Sequence, residues 1–272
     1  MIVPFVKMSG AGNDVILVDH REHLLRAREA AFARAICDRR FGVGADATIL
    51  VEESARADFH VRFFNPDGSE YALCGNGARC IPLFAEAIGL PGPEYTFTSD
   101  SGTHRGRMLG SDSGSVGMPP AREIRRCVPV EIEGRPLDVD WGDIGVPHAA
   151  VWVEDVASIP VETLGARVRA HPAFGPQGTN VSFVQRLGPG TFAIRTFERG
   201  VEGETWACGS GSTVIATLAR ARGWAGDRVE LRVRSGAILS VDFADPAEPR
   251  LAGPVSWICD GRFPFAPEPE SA

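Results

Sequence analysis

Short runs of apolar residues, bounded by glycine, proline and aspartate, recur along the whole chain. They are rich in valine, isoleucine and phenylalanine, and several alternate apolar with polar positions, which is typical of β-strands. The pattern predicts strands over residues 2–6, 15–18, 48–51, 59–64, 95–98, 128–132, 149–153, 181–184, 192–196, 229–233 and 238–243. Short strands are therefore expected to dominate the fold.

Apolar residues at helical spacing occur in three places. One is the segment 29–38, and the other two each follow a Cys-Gly-x-Gly sequence. These two segments end at Gly89 and Gly223, and glycine is a common helix stop. Many strands with few helices predict an α+β fold rather than a doubly wound parallel sheet.

The two Cys-Gly-x-Gly sequences belong to an internal repeat. The first copy, 67–80, contains Cys74, and the second, 201–213, contains Cys208. A glutamate precedes each cysteine by four residues (Glu70 and Glu204), and the cysteines are 134 residues apart, about half the chain. The repeat predicts two matching α/β halves, each with one such element.

The stretch 109–126 is rich in glycine, serine and proline and is the candidate crossing between the halves. We place the first domain, with Cys74, at residues 1–118 and the second, with Cys208, at 119–261. The segment 262–272 is expected to return to the first domain, with a frayed end after Pro264.

Composition and charge narrow the class of protein. The chain has 272 residues and a net charge of −7, so no basic surface for nucleic acid is indicated. No apolar run approaches the ~20 residues that span a bilayer. The N-terminus, with Lys7 after a brief apolar run, does not resemble a signal peptide. A cytoplasmic protein without nucleic-acid or membrane partners is expected.

The six cysteines are Cys37, Cys74, Cys80, Cys127, Cys208 and Cys259. None forms a Cys-x-x-Cys pair, so a zinc site has little support and no metal is predicted. Lys7 is the only lysine, and a pyridoxal-phosphate enzyme would have to use it for its Schiff base. Four cysteines lack a following Gly-x-Gly and are expected to be structural: Cys37, Cys80, Cys127 and Cys259.

A Cys-Gly-x-Gly sequence at a helix start has a definite chemistry. The first backbone N–H groups of a helix have no intrahelical partner, and the helix dipole adds partial positive charge there. Such a site holds a carboxylate and lowers the pKa of a thiol. Two such motifs predict two thiols on either side of one bound acid, which suits inversion at its α-carbon without a cofactor.

Eight segments in order make the chain resemble the diaminopimelate epimerase family almost from end to end. They are KMSGAGND at 7–14, RFGVGAD at 40–46, FNPDGSE at 64–70, CGNGAR at 74–79, GVPH at 145–148, GTNV at 178–181, FERGV at 197–201 and ETWACGSG at 204–211. The resemblance implies two similar domains, each a curved mixed β-sheet around a central helix, with the active site in the interdomain cleft. It also implies a homodimer and epimerisation of LL-2,6-diaminopimelate to the meso form, a step in lysine and peptidoglycan precursor biosynthesis.

The same resemblance implies roles for individual residues. Cys74 and Cys208 would be the paired acid and base, supported by His148 and Glu198. Four residues would hold the reacting α-carboxylate: Gly75, Asn76, Gly209 and Ser210. Four more would bind the distal end of the amino-acid substrate: Asn13, Asn65, Asn180 and Arg199.

Three departures from the family pattern leave alternatives open. Ala47 stands where some relatives, and Val146 where many relatives, have a polar substrate contact. The segment 198–204 is one residue longer than the commoner form. A cofactor-independent racemase of another amino acid, such as histidine, is therefore the nearest alternative. An isomerase of the phenazine-biosynthesis type lacks the paired cysteines. Two alternatives come from a different class of protein: a non-catalytic amino-acid-binding protein and a dithiol redox module.

Overall fold

The computed structural model describes residues 1–266. The strands are β1 (Ile2–Gly10), β2 (Asn13–Asp19), β3 (Ala47–Glu52), β4 (Phe59–Phe64), β5 (Glu70–Tyr71), β6 (Glu94–Ser99), β7 (Gly102–Met108), β8 (Ser113–Gly117), β9 (Glu123–Arg125), β10 (Val130–Ile132), β11 (Arg135–Leu137), β12 (Val139–Asp143), β13 (Pro147–Val153), β14 (Asn180–Gly188), β15 (Thr191–Glu198), β16 (Gly203–Thr205), β17 (Arg228–Arg232), β18 (Ile238–Asp242) and β19 (Arg250–Pro264). The helices are α1 (Glu29–Cys37), α2 (Gly75–Ala87), α3 (Val161–Arg169) and α4 (Gly209–Ala221), with a 3₁₀ turn at Pro172–Phe174.

The chain forms two compact units. Unit 1 comprises Met1–Val116 with the chain from Pro254 on, and unit 2 comprises Gly117–Gly253. The domain boundaries placed after residues 118 and 261 remain a prediction. No helix within residues 1–266 is both long and apolar enough to cross a lipid bilayer.

In unit 1 a mixed sheet surrounds α2. The strand order is β19–β1–β2–β3–β4–β6–β7–β8, and β8 pairs again with β19, so the sheet closes on itself. The pairs β2–β3 and β4–β6 are parallel. Helix α2 packs against β1, β2 and β7. Its first eight residues, 75–82, are all buried, as expected of a helix enclosed by a sheet.

Unit 2 repeats this arrangement around α4. Its strand order is β9–β12–β13–β14–β15–β17–β18, followed by the first residues of β19. The parallel pairs β13–β14 and β15–β17 occupy the same places as their counterparts in unit 1. The predicted fold of two similar halves, each a mixed sheet around a central helix, is confirmed.

A second helix covers the outside of each sheet. Phe32 and Ile36 of α1 pack on Val18 and Leu50 in unit 1. Unit 2 has the matching layer, in which α3 packs on strands β14 and β15, and Val161 and Val168 belong to the apolar cluster there. The sequence pattern does not predict α3, because its apolar face consists of few residues.

The expectation of a frayed end directly after Pro264 is wrong for Phe265. Its side chain is buried against Phe32, with the ring centroids 5.4 Å apart. Its backbone N–H donates to the carbonyl of Met1 at 2.9 Å, and its carbonyl accepts from the terminal ammonium at 2.7 Å. An aromatic side chain therefore anchors the chain past the last strand. Residues 267–272 lie outside the described residues.

Candidate active site

Each unit presents a cysteine at the start of its central helix. Cys74 is the N-cap of α2 with φ −116° and ψ 111°, and Cys208 is the N-cap of α4 with φ −129° and ψ 112°. Each Sγ accepts a hydrogen bond of 3.4 Å from the backbone N–H three residues on, at Gly77 and Gly211. Both sulfurs thus lie in the positive field of a helix N-terminus, which favours the thiolate.

Glycines are needed near these sulfurs because of close backbone approach. A Cβ on Gly10 would lie 2.3 Å from the carbonyl oxygen of Asn76, in the first turn of α2. A Cβ on Gly211 would lie 3.2 Å from Nδ1 of His148 and 3.3 Å from Sγ of Cys208. A side chain at either position would displace the start of the helix or its neighbours.

Around Cys74, a polar network reaches the surface of unit 1. The sulfur lies 3.6 Å from Oδ1 of Asn13. Nδ2 of Asn13 donates to Asp46 at 2.6 Å, and Asp46 accepts from Arg39 at 2.6 Å. The bond to Asp46 fixes the amide of Asn13 with its oxygen towards the sulfur.

Asp14 stabilises the same network from the next position of β2. It pairs with Lys7 at 2.9 Å and with Arg39 at 2.8 Å. Burial by itself would raise the pKa of Asp14, but the hydrogen bonds and charges of these two cations outweigh it and lower the pKa to about 2. The carboxylate therefore stays ionised at neutral pH and holds Lys7 and Arg39 in place.

Two further predicted residues of unit 1 have different surroundings. Asn76 is buried in the first turn of α2, where its Oδ1 accepts from Arg79 at 3.0 Å. Asn65 follows β4, and its Nδ2 donates to Oγ of Ser69 at 2.9 Å within a turn. The structure thus groups Asn13, Cys74 and Asn76, whereas the hydrogen bonds given for Asn65 belong to its own turn.

Around Cys208, a chain of contacts joins several predicted residues of unit 2. Oγ of Ser210 lies 3.5 Å from the sulfur and 3.0 Å from Nε2 of His148. His148 pairs with Asn180 across the parallel strands β13 and β14. Oδ1 of Asn180 accepts from the backbone N–H of Arg199 at 2.9 Å. Cys208 and Arg199 are thus the two ends of one connected group.

Arg199 and Glu198 lie at the end of β15. Nη1 of Arg199 is 3.5 Å from the carbonyl oxygens of Gln177 and Gly178, at the outer limit of a hydrogen bond. Oε1 of Glu198 accepts a hydrogen bond from the hydroxyl of Thr205 at 2.6 Å. The loosely held guanidinium suits bidentate binding of a carboxylate.

His148 is expected to stay neutral over the physiological pH range. It is fully buried, and burial with the positive charge of Arg199 lowers its pKa to about 3. Its ring proton resonances should therefore not titrate between about pH 5 and 8 in the folded protein. NMR spectra of the wild type and of His148→Asn, which assigns the signal, measure this.

Because the pKa of His148 differs between the folded and the unfolded chain, the stability of the protein depends on pH. The unfolded chain binds a proton at this histidine near pH 6.5 and the folded chain does not, so the free energy of unfolding should fall as the pH drops from about 6.5 towards 3. A His148 resonance in the folded protein that titrates near pH 6.5 would contradict the burial argument.

Sequence reasoning missed four residues of these networks. Asp46 and Arg39 fix Asn13, Thr205 binds Glu198, and Arg79 binds Asn76. Arg79 and Asp46 lie inside motifs quoted above, but nothing in the sequence pairs Asp46 with Asn13. These partners are 33 residues apart in the chain and meet only through the parallel pairing of β2 and β3.

The atoms of His20, His23 and Glu52 lie within 4.8 Å of one another and form a possible metal-binding group among the described residues. Nε2 of His20 accepts from the backbone N–H of Leu25 at 3.1 Å, so Nδ1 carries the proton and donates to Glu52 at 2.9 Å. No lone pair of this ring is left for a cation. We therefore interpret the contacts of His20 as hydrogen bonds that hold the turn after β2.

A family profile and named relatives each match most of the chain and agree on the family. The profile of the family described as "Diaminopimelate epimerase" matches residues 5–121 and 141–257. The diaminopimelate epimerase of Chlorobaculum tepidum is 37% identical over 258 residues, covering 93% of this chain and 98% of its own. That of Aquifex aeolicus is 37% identical over 277 residues, covering 95% and 97%.

Solved structures share the fold at low sequence identity. A phenazine biosynthesis protein of the PhzF family from Bacillus anthracis has a TM-score of 0.76 at 15% identity, covering 97% of this chain and 100% of its own. A probable proline racemase from Agrobacterium radiobacter has a TM-score of 0.72 at 17% identity, covering 98% and 94%. At this identity the likeness shows the fold alone.

Proposed function

The chain belongs to the diaminopimelate epimerase family, and on this premise we propose that it converts LL-2,6-diaminopimelate to the meso form without pyridoxal phosphate. The observation that carries the proposal is the duplicated N-cap cysteine, with matching backbone angles and matching Sγ contacts in the two units. The enzyme is accordingly an isomerase that acts at an α-carbon.

The reacting α-carboxylate binds at the helix starts. Backbone N–H groups of Gly75 and Asn76 in α2, and of Gly209 and Ser210 in α4, lie in the first turns, where no intrahelical acceptor is available. When the α-proton leaves, negative charge moves onto the carboxylate. Donors fixed in advance stabilise that charge more in the transition state than in the bound substrate.

The two cysteines then exchange protons with the α-carbon. One thiolate removes the α-proton and becomes a thiol, and the opposite thiol donates its proton to the other face and becomes a thiolate. The carbon changes configuration, and the total number of protons on the enzyme is unchanged. Ser210 and the neutral His148 orient the sulfur of Cys208 and do not act as the base themselves.

The distal amino-acid end is assigned to polar groups outside the helix starts. Arg199 has a weakly held guanidinium for the distal carboxylate, and Asn180 fixes its backbone. Asn13 is held by Asp46, and Asn65 contributes from the turn after β4. This half of the site determines which amino acid is accepted, and the product would supply lysine and peptidoglycan precursor synthesis.

The proposal is tested by incubating the reduced enzyme with LL-diaminopimelate in D₂O, with no added cofactor. We expect meso product that carries deuterium at the inverted centre. Exchange and inversion with another amino acid, such as histidine, but not with diaminopimelate would support the racemase alternative. Tight binding with no exchange at all would overturn the proposed chemistry.

We also propose that the enzyme is a cytoplasmic homodimer. Exposed apolar side chains on paired strands of unit 1 support the association: Ile2 is 59% exposed, Trp257 41% and Ile258 50%. Light scattering that gives the mass of a single chain, 29.1 kDa, would rule out the dimer. Recovery of activity only from a membrane or extracellular fraction would rule out the location.

A further inference from the structure

The glutamate that precedes each cysteine by four residues has the same side-chain contact in both units. Arg62 of β4 donates from Nε and Nη2 to the two carboxylate oxygens of Glu70, at 2.7 and 2.9 Å. Arg195 of β15 donates from Nε and Nη2 to the two carboxylate oxygens of Glu204, both at 2.7 Å. Because both contacts are bidentate, they fix the orientation of the two side chains as well as their distance.

The two pairs occupy the same register position of their hairpins. Glu70 lies opposite Phe64 across the strands β4 and β5. Glu204 lies opposite Phe197 across the strands β15 and β16. In each unit the arginine is two residues before that phenylalanine on the first strand, so arginine and glutamate are diagonal neighbours on one face of the sheet. The internal repeat therefore includes an arginine that the sequence pattern did not indicate.

Each hairpin joins a residue assigned to the distal end of the substrate to a catalytic cysteine. In unit 1, Asn65 follows β4, and Cys74 is three residues after β5. In unit 2, Arg199 follows β15, and Cys208 is three residues after β16. Strand β5 has only two residues and β16 only three, so few backbone hydrogen bonds hold them. The arginine–glutamate contact is a second attachment of each short strand to its neighbour.

In unit 2 the surrounding chain holds both partners of the pair. Nη1 of Arg195 donates to the carbonyls of Val156 at 3.2 Å and Ile159 at 3.0 Å, in the loop before α3. The side chain of Glu204 is 4% exposed, and its backbone N–H donates to Glu162 of α3 at 3.1 Å. Strand β16 is thereby fixed to α3 and its loop, just before the start of α4.

In unit 1 the pair is more accessible to water. The side chains of Arg62 and Glu70 are 27% and 32% exposed. Nη1 of Arg62 also lies 3.4 Å from Oε1 of Glu52 on β3, which accepts from Nδ1 of His20 at 2.9 Å. A pair with this exposure contributes little to global stability. Substitutions in it therefore test the position of the hairpin in a unit that stays folded.

We propose that the two arginine–glutamate pairs are positioning pairs, each of which fixes the hairpin that leads to the cysteine of its own unit. None of the four side chains is assigned to the substrate or to the reacting atoms. They act through the backbone that enters each helix, and so keep each sulfur at the N–H three residues on. For its effect on turnover the inference rests on the proposed function, whereas its effect on the two cysteines does not.

Alkylation of both cysteines in one molecule tests the proposal. Iodoacetamide reacts with the thiolate, and peptide mass spectrometry gives a separate rate for each cysteine. At pH 7, Glu70→Gln should lower the rate of Cys74 about two- to fivefold, because its sulfur leaves the field of the helix start, and should not change that of Cys208. Glu204→Gln should have the reverse effect. An unchanged or raised rate at the variant's own cysteine, or an equal loss at both, would overturn the proposal.

Asp19→Asn is the matched control for unit 1. Asp19 forms a bidentate pair with Arg21 at 2.8 and 2.6 Å, with similar exposure of 36% and 31%. This pair lies at the opposite end of α2, where Nη2 of Arg21 donates to the carbonyl of Ile88 at 3.2 Å. The control should leave both catalytic cysteines and kcat unchanged. The exposed Cys127 and Cys259 should react alike in every variant.

Lysine variants separate the geometry of the pairs from their charge. Arg62→Lys and Arg195→Lys keep the positive charge, but an ammonium group cannot form the two parallel hydrogen bonds of a guanidinium. Each should therefore show the same loss at its own cysteine as the glutamine variant of its partner. A wild-type alkylation rate in either lysine variant would show that charge alone suffices and would refute the positioning role.

Turnover gives an independent measurement. With LL-diaminopimelate, Glu70→Gln and Glu204→Gln should each lower kcat/KM by about 10–10²-fold, the cost of a misplaced catalytic group. Wild-type kcat/KM in either variant would contradict the proposal. If Glu204→Gln does not fold, Glu70→Gln and Arg62→Lys still decide the outcome for unit 1. Alkylation needs no substrate, so a wrong substrate assignment leaves it readable, and failed positioning pairs leave the D₂O experiment unaffected.

Discussion

Cys74→Ala and Cys208→Ala are each expected to lower kcat by about 10²–10⁴-fold, the range that a positioned acid or base contributes. Either variant retains one sulfur, but the α-carbon then lacks a positioned proton donor or acceptor on one face, so inversion depends on slower proton transfer with water there. Cys127→Ala and Cys259→Ala are the matched controls, because both thiols are exposed and outside the repeat. Their kcat should equal that of the wild type.

Steady-state epimerisation of purified, reduced enzymes gives kcat and KM for all four variants. The helix-start N–H groups remain in the two catalytic variants, so KM should change far less than kcat. Near-normal inversion by either Cys74→Ala or Cys208→Ala would exclude a two-thiol mechanism. A similar loss in either control would mean that the activity responds to cysteine replacement in general.

Arg222→Met is expected to lower the free energy of unfolding of unit 2 by about 3–5 kcal/mol. Arg222 lies at the C-terminal end of α4 and donates to Asp140, whose side chain is 0% exposed. Burial alone would raise the pKa of Asp140, but the hydrogen bonds from Arg222 and its neighbours lower it, so the carboxylate is charged. Removing the arginine leaves that charge buried without its partner.

Urea unfolding followed by tryptophan fluorescence measures the effect. Trp152 donates to Asp140 at 3.0 Å, and Arg222 lies over the ring of Trp224 at 4.8 Å, so the signal reports this region. Arg167→Met, which breaks an exposed ion pair with Glu133, should cost less than about 1 kcal/mol. A cost of similar size for Arg222→Met would show that the pair contributes little.

A double variant separates the buried charge from the lost packing. Arg222→Met combined with Asp140→Asn removes the carboxylate as well as its partner. We expect it to recover a large part of the lost stability, because the neutral amide still accepts from the backbone N–H of Cys127 and no buried ion is left unpaired. The second partner of Arg222, Asp138, is half exposed, so water solvates its charge. Equal instability of the single and double variants would assign the effect to packing alone.

Much of the fold could be predicted because its signals are local. Each predicted apolar run falls on a strand, and the segment 29–38 corresponds to α1 at Glu29–Cys37. The pattern missed β8, because its sequence, SGSVG, has little apolar signal. It also missed β5, β7, β9, β11, β12, β16 and the long last strand β19. The closing pair of β1 with β19 joins the two ends of the chain, which no local pattern shows.

The candidate site also has features that the sequence predicts and others that only the folded structure shows. The Cys-Gly-x-Gly repeat predicted the helix starts, and the structure has both cysteines as N-caps. The hydrogen bond between Asn13 and Asp46 depends on strand pairing, and the complete burial of Arg79 depends on the sheet that surrounds α2. Contacts of this kind are properties of the folded chain.

The return of the last strand to the first has a consequence for synthesis on the ribosome. Unit 2 is one continuous stretch, so its residues can fold as soon as they leave the exit tunnel. Unit 1 has to wait, because β1 is made first and its partner β19 among the last strands. During that interval one edge of β1 has no partner strand. Strand β1 contains Pro4 and Lys7, which are the kinds of residue that discourage pairing with another chain.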